Sequence, residues 1–247
     1  MLSAPFLTLE FDHPDAKIDQ VSPTCVALTS GDALAAQDVL AEGAGFAGQL
    51  QNPFITNFAD QIRQKFVEAR RRLANEQVLE PRGMNFVDFY QGGAITRLPP
   101  DLGMVIDHAI QSLQLGVSVI LAGVDQTGAH IFTIEDPGTT ACFDRLGYHA
   151  IGSGHRHALL TLVSHSQHKS ADINRTVFNV YAAKRAAEAA PGVGQATEMR
   201  VITKAGVQVV GADVLAKLQP LYDKKMSTKI VEVEAGIEAL PYNLGEK

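Results

Sequence analysis

Val119-Ile-Leu-Ala-Gly-Val-Asp-Gln-Thr-Gly-Ala-His-Ile-Phe-Thr-Ile134 reads as an apolar strand, a turn at Asp125–Gly128 and a second strand. Gly147-Tyr-His-Ala-Ile-Gly-Ser-Gly154 comes next, with a tight Gly-Ser-Gly bend that opens a helix over His155–Ser164. Between them, Ile134–Gly138 turns into a strand at Thr139–Phe143. Upstream, Cys25-Val-Ala-Leu-Thr-Ser-Gly31 is an apolar strand, and Asp32 caps a helix that starts at Ala33.

The same periodicities extend outward. Residues 5–13 read as a strand. Phe58 to Val78 and Leu102 to Leu115 read as helices, with Pro81–Gly93 as a breaker-rich connection between them. Ile106, Ile110, Leu113 and Val117–Leu121 are core positions, and Leu102 shares their face. Ala171–Glu188 is a helix with Asp172 in its first turn, and Pro191–Gly194 ends it. Met199–Thr203 and Val207–Val210 form a hairpin. Asp213–Tyr222 is a last helix, and residues 226–247 read as a polar, peripheral tail. Runs of strands alternating with runs of helices, in one domain over 1–247, predict stacked layers: an α/β (α+β) four-layer αββα sandwich.

Composition narrows the function classes. The 247 residues are 46% hydrophobic and carry a formal charge of −6, which suits a globular protein rather than a binder of nucleic-acid backbones. The basic run Arg70-Arg71-Arg72 reads as a solvated helix face. No apolar run has the ~20 residues of a membrane helix, and the start lacks the pattern of a signal peptide. Cys25 and Cys142 read as small buried hydrophobes of a reducing, cytoplasmic protein. His155-x-His157 and His165-x-x-His168 lack the i, i+4 spacing of a helical metal pair, so neither metal nor cofactor is expected. Gly43-Ala-Gly-Phe-Ala-Gly48 matches a dinucleotide fingerprint in letters, but a helical pattern precedes it, so it reads as a helix end and turn.

Ser153 has three readings: a helix N-cap, a hydroxyl assisting another nucleophile, or the nucleophile itself. Gly152 and Gly154 beside it remove Cβ bulk, so a ligand backbone can approach. Lys17, in Asp15-Ala-Lys-Ile18, stands just before a strand.

Five segments, in order and spacing, resemble the proteasome β-subunit family of N-terminal-nucleophile hydrolases, and its bacterial members more than the eukaryotic ones. They are Lys17-Ile18 leading into Ala27-Leu-Thr-Ser-Gly-Asp32; Leu121–Asp125 with His130–Ile134; Ala150-Ile-Gly-Ser-Gly154; Tyr181–Glu188; and Met199–Thr203. The likeness spans Lys17 to Thr203. It implies a threonine-type peptidase acting on peptides or unfolded protein, within a homo-oligomeric ring. By the resemblance, Lys17 takes the place of the lysine beside the nucleophile. Ser153 matches the assisting serine, Glu188 lies near the supporting aspartate, and Gly31 matches the glycine whose N–H helps bind the oxyanion. The ammonium would stabilise an alkoxide and lower the pKa of a nearby α-amine.

The family carries its nucleophile on a first hairpin of roughly 15 residues, and Met1–Thr8 corresponds to the segment just after that hairpin. Thr8 is mid-strand without a free α-amine, and Ser3 lacks the preceding strand. The expectation is therefore an upstream start, with a non-catalytic ring subunit as the alternative, and a sheet edge left unpaired.

Overall fold

A computed structural model describes the backbone of residues 2–4, 7–11, 17–47 and 54–238, and the side chains of residues 17–40 and 54–228. The fold is mixed α+β. Its main sheet is built on strands β3 (Ile18–Ser22), β4 (Cys25–Asp32), β5 (Val117–Val124), β6 (Ala129–Glu135) and β7 (Thr139–Cys142), all antiparallel. Strands β1 (Leu2–Ala4) and β2 (Leu7–Phe11) form a hairpin, and β1 joins β4 in parallel, with Leu2 opposite Gly31 and Ser3 opposite Asp32. So the strand expected over 5–13 is present as β2, a further short strand precedes it, and the edge expected to be bare has the chain's own residues paired on it beyond β3.

Alternation in the central strands decides which face is buried against helices. Cys25 and Ala27 of β4, Val117, Val119 and Leu121 of β5, and Phe132 and Ile134 of β6 point to one side. There they meet α1 (Ala33–Ala47) and α2 (Ile55–Ala74), which contribute Ala36, Val39, Ile55, Phe58, Ile62 and Phe66 to one core. Burying a side chain of this size stabilises the fold by about 1.5–3 kcal/mol. The opposite side of the sheet carries Val26, Leu28 and Ser30, then Ser118 and Ile120, then Thr133 and Glu135. Toward this region come the hairpin of β8 (Arg200–Thr203) and β9 (Gly206–Val209), with the Val207 N–H donating to Pro23 O at 3.0 Å. Helices α5 (His155–Ser164) and α6 (Ile173–Ala187) pack on each other through Ala158, Leu162, Ala183 and Ala187.

Beyond α2 the chain continues as a π-helical turn at Asn75–Leu79. Short helical turns come after it where a plain connection was expected, at Glu80–Arg82, Val87–Gln91 and α3 (Ala94–Arg97). Helix α4 (Pro100–Ser112) buries Ile106 and Ile110 in this second cluster, while Leu102 is turned outward. Of the basic run, Arg71 and Arg72 are exposed as expected, whereas Arg70 is half-buried. Arg70 donates to the carbonyls of Ile110, Gln111 and Leu113, satisfying the end of α4; Arg71 lies over Phe86; Arg72 pairs with Asp38 of α1. Cys25 is buried, but Cys142 is exposed, because β7 is an outer strand whose residues all face solvent. Gly43 to Ala47 belong to the end of α1, as a helix end was expected there; Gly48 lies outside the described residues.

Helix α7 (Ala212–Glu238) runs through Pro220 and far past Tyr222, so residues 226–238 of the expected tail are helical. Its packed first half nucleates it, and propagation through polar residues then costs little. Residues 239–247 lie outside the described ones. No helix is long and apolar enough to cross a membrane among the described residues.

The β5–β6 turn is tied to α2 by a polar knot. Asp125 accepts from the Ile55 N–H at 2.9 Å, and its other oxygen accepts from the Thr127 N–H and hydroxyl. His130 lies against Asp125 at 3.2 Å, Thr127 at 2.7 Å and Asp144 at 2.7 Å. Burial pushes the Asp125 carboxyl up, but the Thr127 and Ile55 hydrogen bonds and the His130 charge outweigh it and hold the group well below the usual carboxylate range. Asp144 is lowered too: burial opposes ionisation, and the Ile131 N–H, His130 and Cys142 overcome it. Both folded values lie below the unfolded one, so the stability they contribute is present above pH ~3.9 and is lost as pH falls below it. Asp125→Ala should cost about 1–3 kcal/mol at neutral pH and flatten the acid limb of the melting curve. A melting temperature that falls with acid as steeply in the variant as in the parent would contradict this.

Candidate functional site

The candidate site lies where β4 ends. Gly31 has φ +99, and a Cβ there would stand 1.9 Å from the carbonyl oxygen of Gly116. Only glycine accepts that contact in that conformation. The next residue, Asp32, donates its N–H to the same oxygen at 2.9 Å and caps α1 with its carboxylate, receiving the Leu34 and Ala35 N–H groups.

Lys17 sits beside the other edge of β4, the one that takes β3. Its carbonyl accepts from the Thr29 N–H at 3.2 Å, two residues before Gly31. The side chain is half-buried, and its pKa is lowered, first by burial and then by the charge of Lys184. Asp19, two residues on, is raised by burial and by Glu198.

The Gly152–Gly154 bend reaches β4 from the other direction. A Cβ on Gly152, which has φ +87, would be 3.3 Å from Ser30 Cβ. One on Gly154 would meet Ala187 at 2.7 Å and Val193 at 3.1 Å. Both glycines are therefore required for packing: the bend is wedged between the end of β4 and the end of α6. The N-cap of α5 is Gly154, and no side chain caps it. That sets aside the capping role for Ser153, which stands exposed at the tip. The bend is instead fastened by His155, whose N–H and Nδ1–H both donate to Gly152 O, at 3.1 and 2.7 Å.

Glu188 lies just after α6, but its carboxylate is taken by its own helix. It pairs with Lys184 and, at 2.8 Å, with Arg185. Lys184 also donates to Gly194 O at 3.0 Å and Gln195 O at 2.7 Å, tying the helix end to the next loop. Thus the backbone of Lys17 and the Gly152–Gly154 bend each reach β4 within two residues of Gly31, Lys17 beside Thr29 and Gly152 over Ser30. Glu188 joins the neighbourhood only through Lys184, which lies between it and Lys17 in the charge network.

A row of polar residues completes the surroundings. Strand register sets Ser30 opposite Ser118, Ser118 opposite Glu135 and Glu135 opposite Thr139. Near it His149 stacks on Phe143, with ring centres 3.9 Å apart. Burial lowers the His149 pKa, Glu135 raises it, and His155 lowers it again, with a net decrease. None of these groups is visible as a site in the sequence, because the row is made by cross-strand register. No group of three or more His, Cys, Asp or Glu side chains suits a metal ion among the described residues.

No family model and no curated protein matches the chain.

Chemically, the strand end offers a partly desolvated ammonium, a hydroxyl on an exposed bend, and backbone that no side chain crowds. The histidine beside it gives a test of the geometry. A histidine lowered in the folded state contributes stability that is present above its unfolded value of about 6.5 and is lost as pH falls below it. His149→Phe keeps the stacking on Phe143 and removes the titration, so its melting temperature should vary less between neutral pH and about pH 5. An equally steep decline in both proteins would show that His149 is not held in this environment.

Proposed function

We propose that the chain is a peptide-bond-cleaving subunit of the proteasome β type, with the αββα layering of an N-terminal-nucleophile hydrolase and β8–β9 as part of the second sheet. One observation supports the reading: the Lys17 carbonyl bonds the Thr29 N–H and Gly152 packs on Ser30, so both segments reach β4 within two residues of Gly31. In this mechanism a hydroxyl at a mature N-terminus attacks the substrate carbonyl and its proton passes to the α-amine, with Ser153 assisting. An acyl ester forms, the amine product leaves with the proton, and water hydrolyses the ester. Lys17 stabilises the alkoxide, and the Gly31 N–H binds the oxyanion. Substrates are peptides or unfolded protein, and the working form is a cytoplasmic homo-oligomeric ring. Closed cyclic symmetry leaves no open contact surface.

A second reading, a non-catalytic ring-forming subunit, is favoured by the engagement of Glu188 with Lys184 and Arg185 rather than with Lys17. Protein purified from its native source separates the two. N-terminal sequencing should give Thr as the mature first residue, and the protein should turn over fluorogenic peptides. Lys17→Ala should slow that turnover by about 10²- to 10⁴-fold, the usual worth of a proton-transfer or charge-stabilising group. Turnover unaffected by Lys17→Ala would refute the catalytic reading, and no turnover at all would favour the scaffold.

A further inference from the structure

Lys184 stands in the last turn of α6, partly buried, and the mechanism above does not use it. An ammonium has three N–H donors, and Lys184 places all three. One goes to the Glu188 carboxylate, one to Gly194 O at 3.0 Å and one to Gln195 O at 2.7 Å. The two carbonyls belong to the loop that leaves α6 for β8, so this side chain closes the loop back on the helix that it comes from. Hydrogen bonds from a charged donor are the strong kind.

That loop supports the underside of the bend. Val193, one residue before the first of these carbonyls, packs on the apolar cluster of Ala158, Leu162, Ala183 and Ala187. A Cβ on Gly154 would stand 3.1 Å from Val193 and 2.7 Å from Ala187, so bend, loop and helix end touch without slack. Ser153 is therefore held from below by Val193, and Val193 is held by the bonds that Lys184 makes on either side of the helix end.

The same ammonium acts on Lys17. Burial is the first cause that disfavours the Lys17 ammonium, and the charge of Lys184 is the second. Glu188, paired with Lys184 and Arg185, offsets part of that charge. The other charged groups of this neighbourhood are Asp19, two residues after Lys17, and Glu198 near it.

We propose that Lys184 is the positioning residue of the candidate site: it clips the loop at Gly194 and Gln195 so that Val193 supports the Gly152-Ser153-Gly154 bend, and it stands as a fixed positive charge near Lys17. It touches no substrate. Its effect on turnover rests on the peptidase reading, whereas its placement is a property of the folded chain and is tested separately.

Side-chain carbon shifts of isotope-labelled lysine in the full chain, followed against pH, read Lys17 once its resonance is assigned by its loss in Lys17→Arg. In the parent, Lys17 should titrate below the exposed lysines. Lys184→Gln removes the like charge and should raise the Lys17 titration, and Lys184→Arg keeps the charge and should leave it low. Glu188→Gln removes the offset and should lower it further. A site merely loosened by mutation would let water in and raise it in every variant. Glu188→Gln keeps both carbonyl anchors of Lys184, so it decides the matter if Lys184→Gln does not fold. Peptide turnover should fall about 10- to 10²-fold in Lys184→Gln, the cost of a displaced assisting group, and Lys184→Arg should recover most of it. The alkaline limb of the turnover profile should move up with the Lys17 titration in Lys184→Gln. A Lys17 titration unchanged by Lys184→Gln, or raised by Glu188→Gln, overturns the proposal whether or not the protein cleaves peptides. Opposite shifts in these two variants of a protein without turnover uphold the placement and count against the peptidase reading alone.

Discussion

The fold turns on a contact that only glycine permits. Gly31 presses its backbone against the Gly116 carbonyl, so β4 and the entry to β5 close to a distance that any Cβ would forbid. Because the strands meet there, the Asp32 N–H shares that carbonyl, the Asp32 side chain is in place to start α1, and the chain leaves the sheet at a fixed point. Lys17 beside the other edge and Gly152 on the open side then have a common landmark. The candidate site is a consequence of where a strand is obliged to stop.

Polar side chains fasten the helices to the ends of this sheet. Arg70 closes the end of α4 from α2, the Asp125–His130–Asp144 knot holds the start of α2 to the β5–β6 turn, and Asp136 receives the N–H groups of Leu115 and Gly116 before β5. Each satisfies backbone groups that would otherwise lose hydrogen bonds on burial, so losing one partner costs more than the net worth of the bond. The apolar core supplies most of the stability, and these ties fix how its layers are placed.

Much of the architecture is legible in the sequence wherever one residue type has one local consequence. The alternation at Val119–Ile134 marks two strands and their turn, Gly-Ser-Gly before an apolar run marks the bend and α5, and Asp32 marks the cap of α1. The features that escape such a reading depend on partners distant in the chain. Arg70 looks like any solvated arginine until α4 presents its carbonyls. His130 is an ordinary strand residue until Asp144 folds beside it. Ser30, Ser118 and Glu135 become a row only through register. The length of α7 is hidden because Pro220 and the polar Lys224, Lys225, Ser227, Thr228 and Lys229 interrupt its apolar pattern. At the candidate site, the segments of Lys17 and of the Gly152 bend both reach β4 near Gly31, whereas Glu188 is claimed by Lys184 and Arg185. That competition between neighbours one turn apart is not decided by spacing alone.

The central claim is spatial: Lys17 and Ser153 serve one place. A short amine-to-thiol cross-linker applied to Ser153→Cys in a Cys142→Ser background tests it, with the linked peptides read by mass spectrometry. Linkage of the introduced thiol to Lys17 is the predicted result. Linkage only to lysines remote from the end of β4, with Lys17 modified but unjoined, would contradict the account.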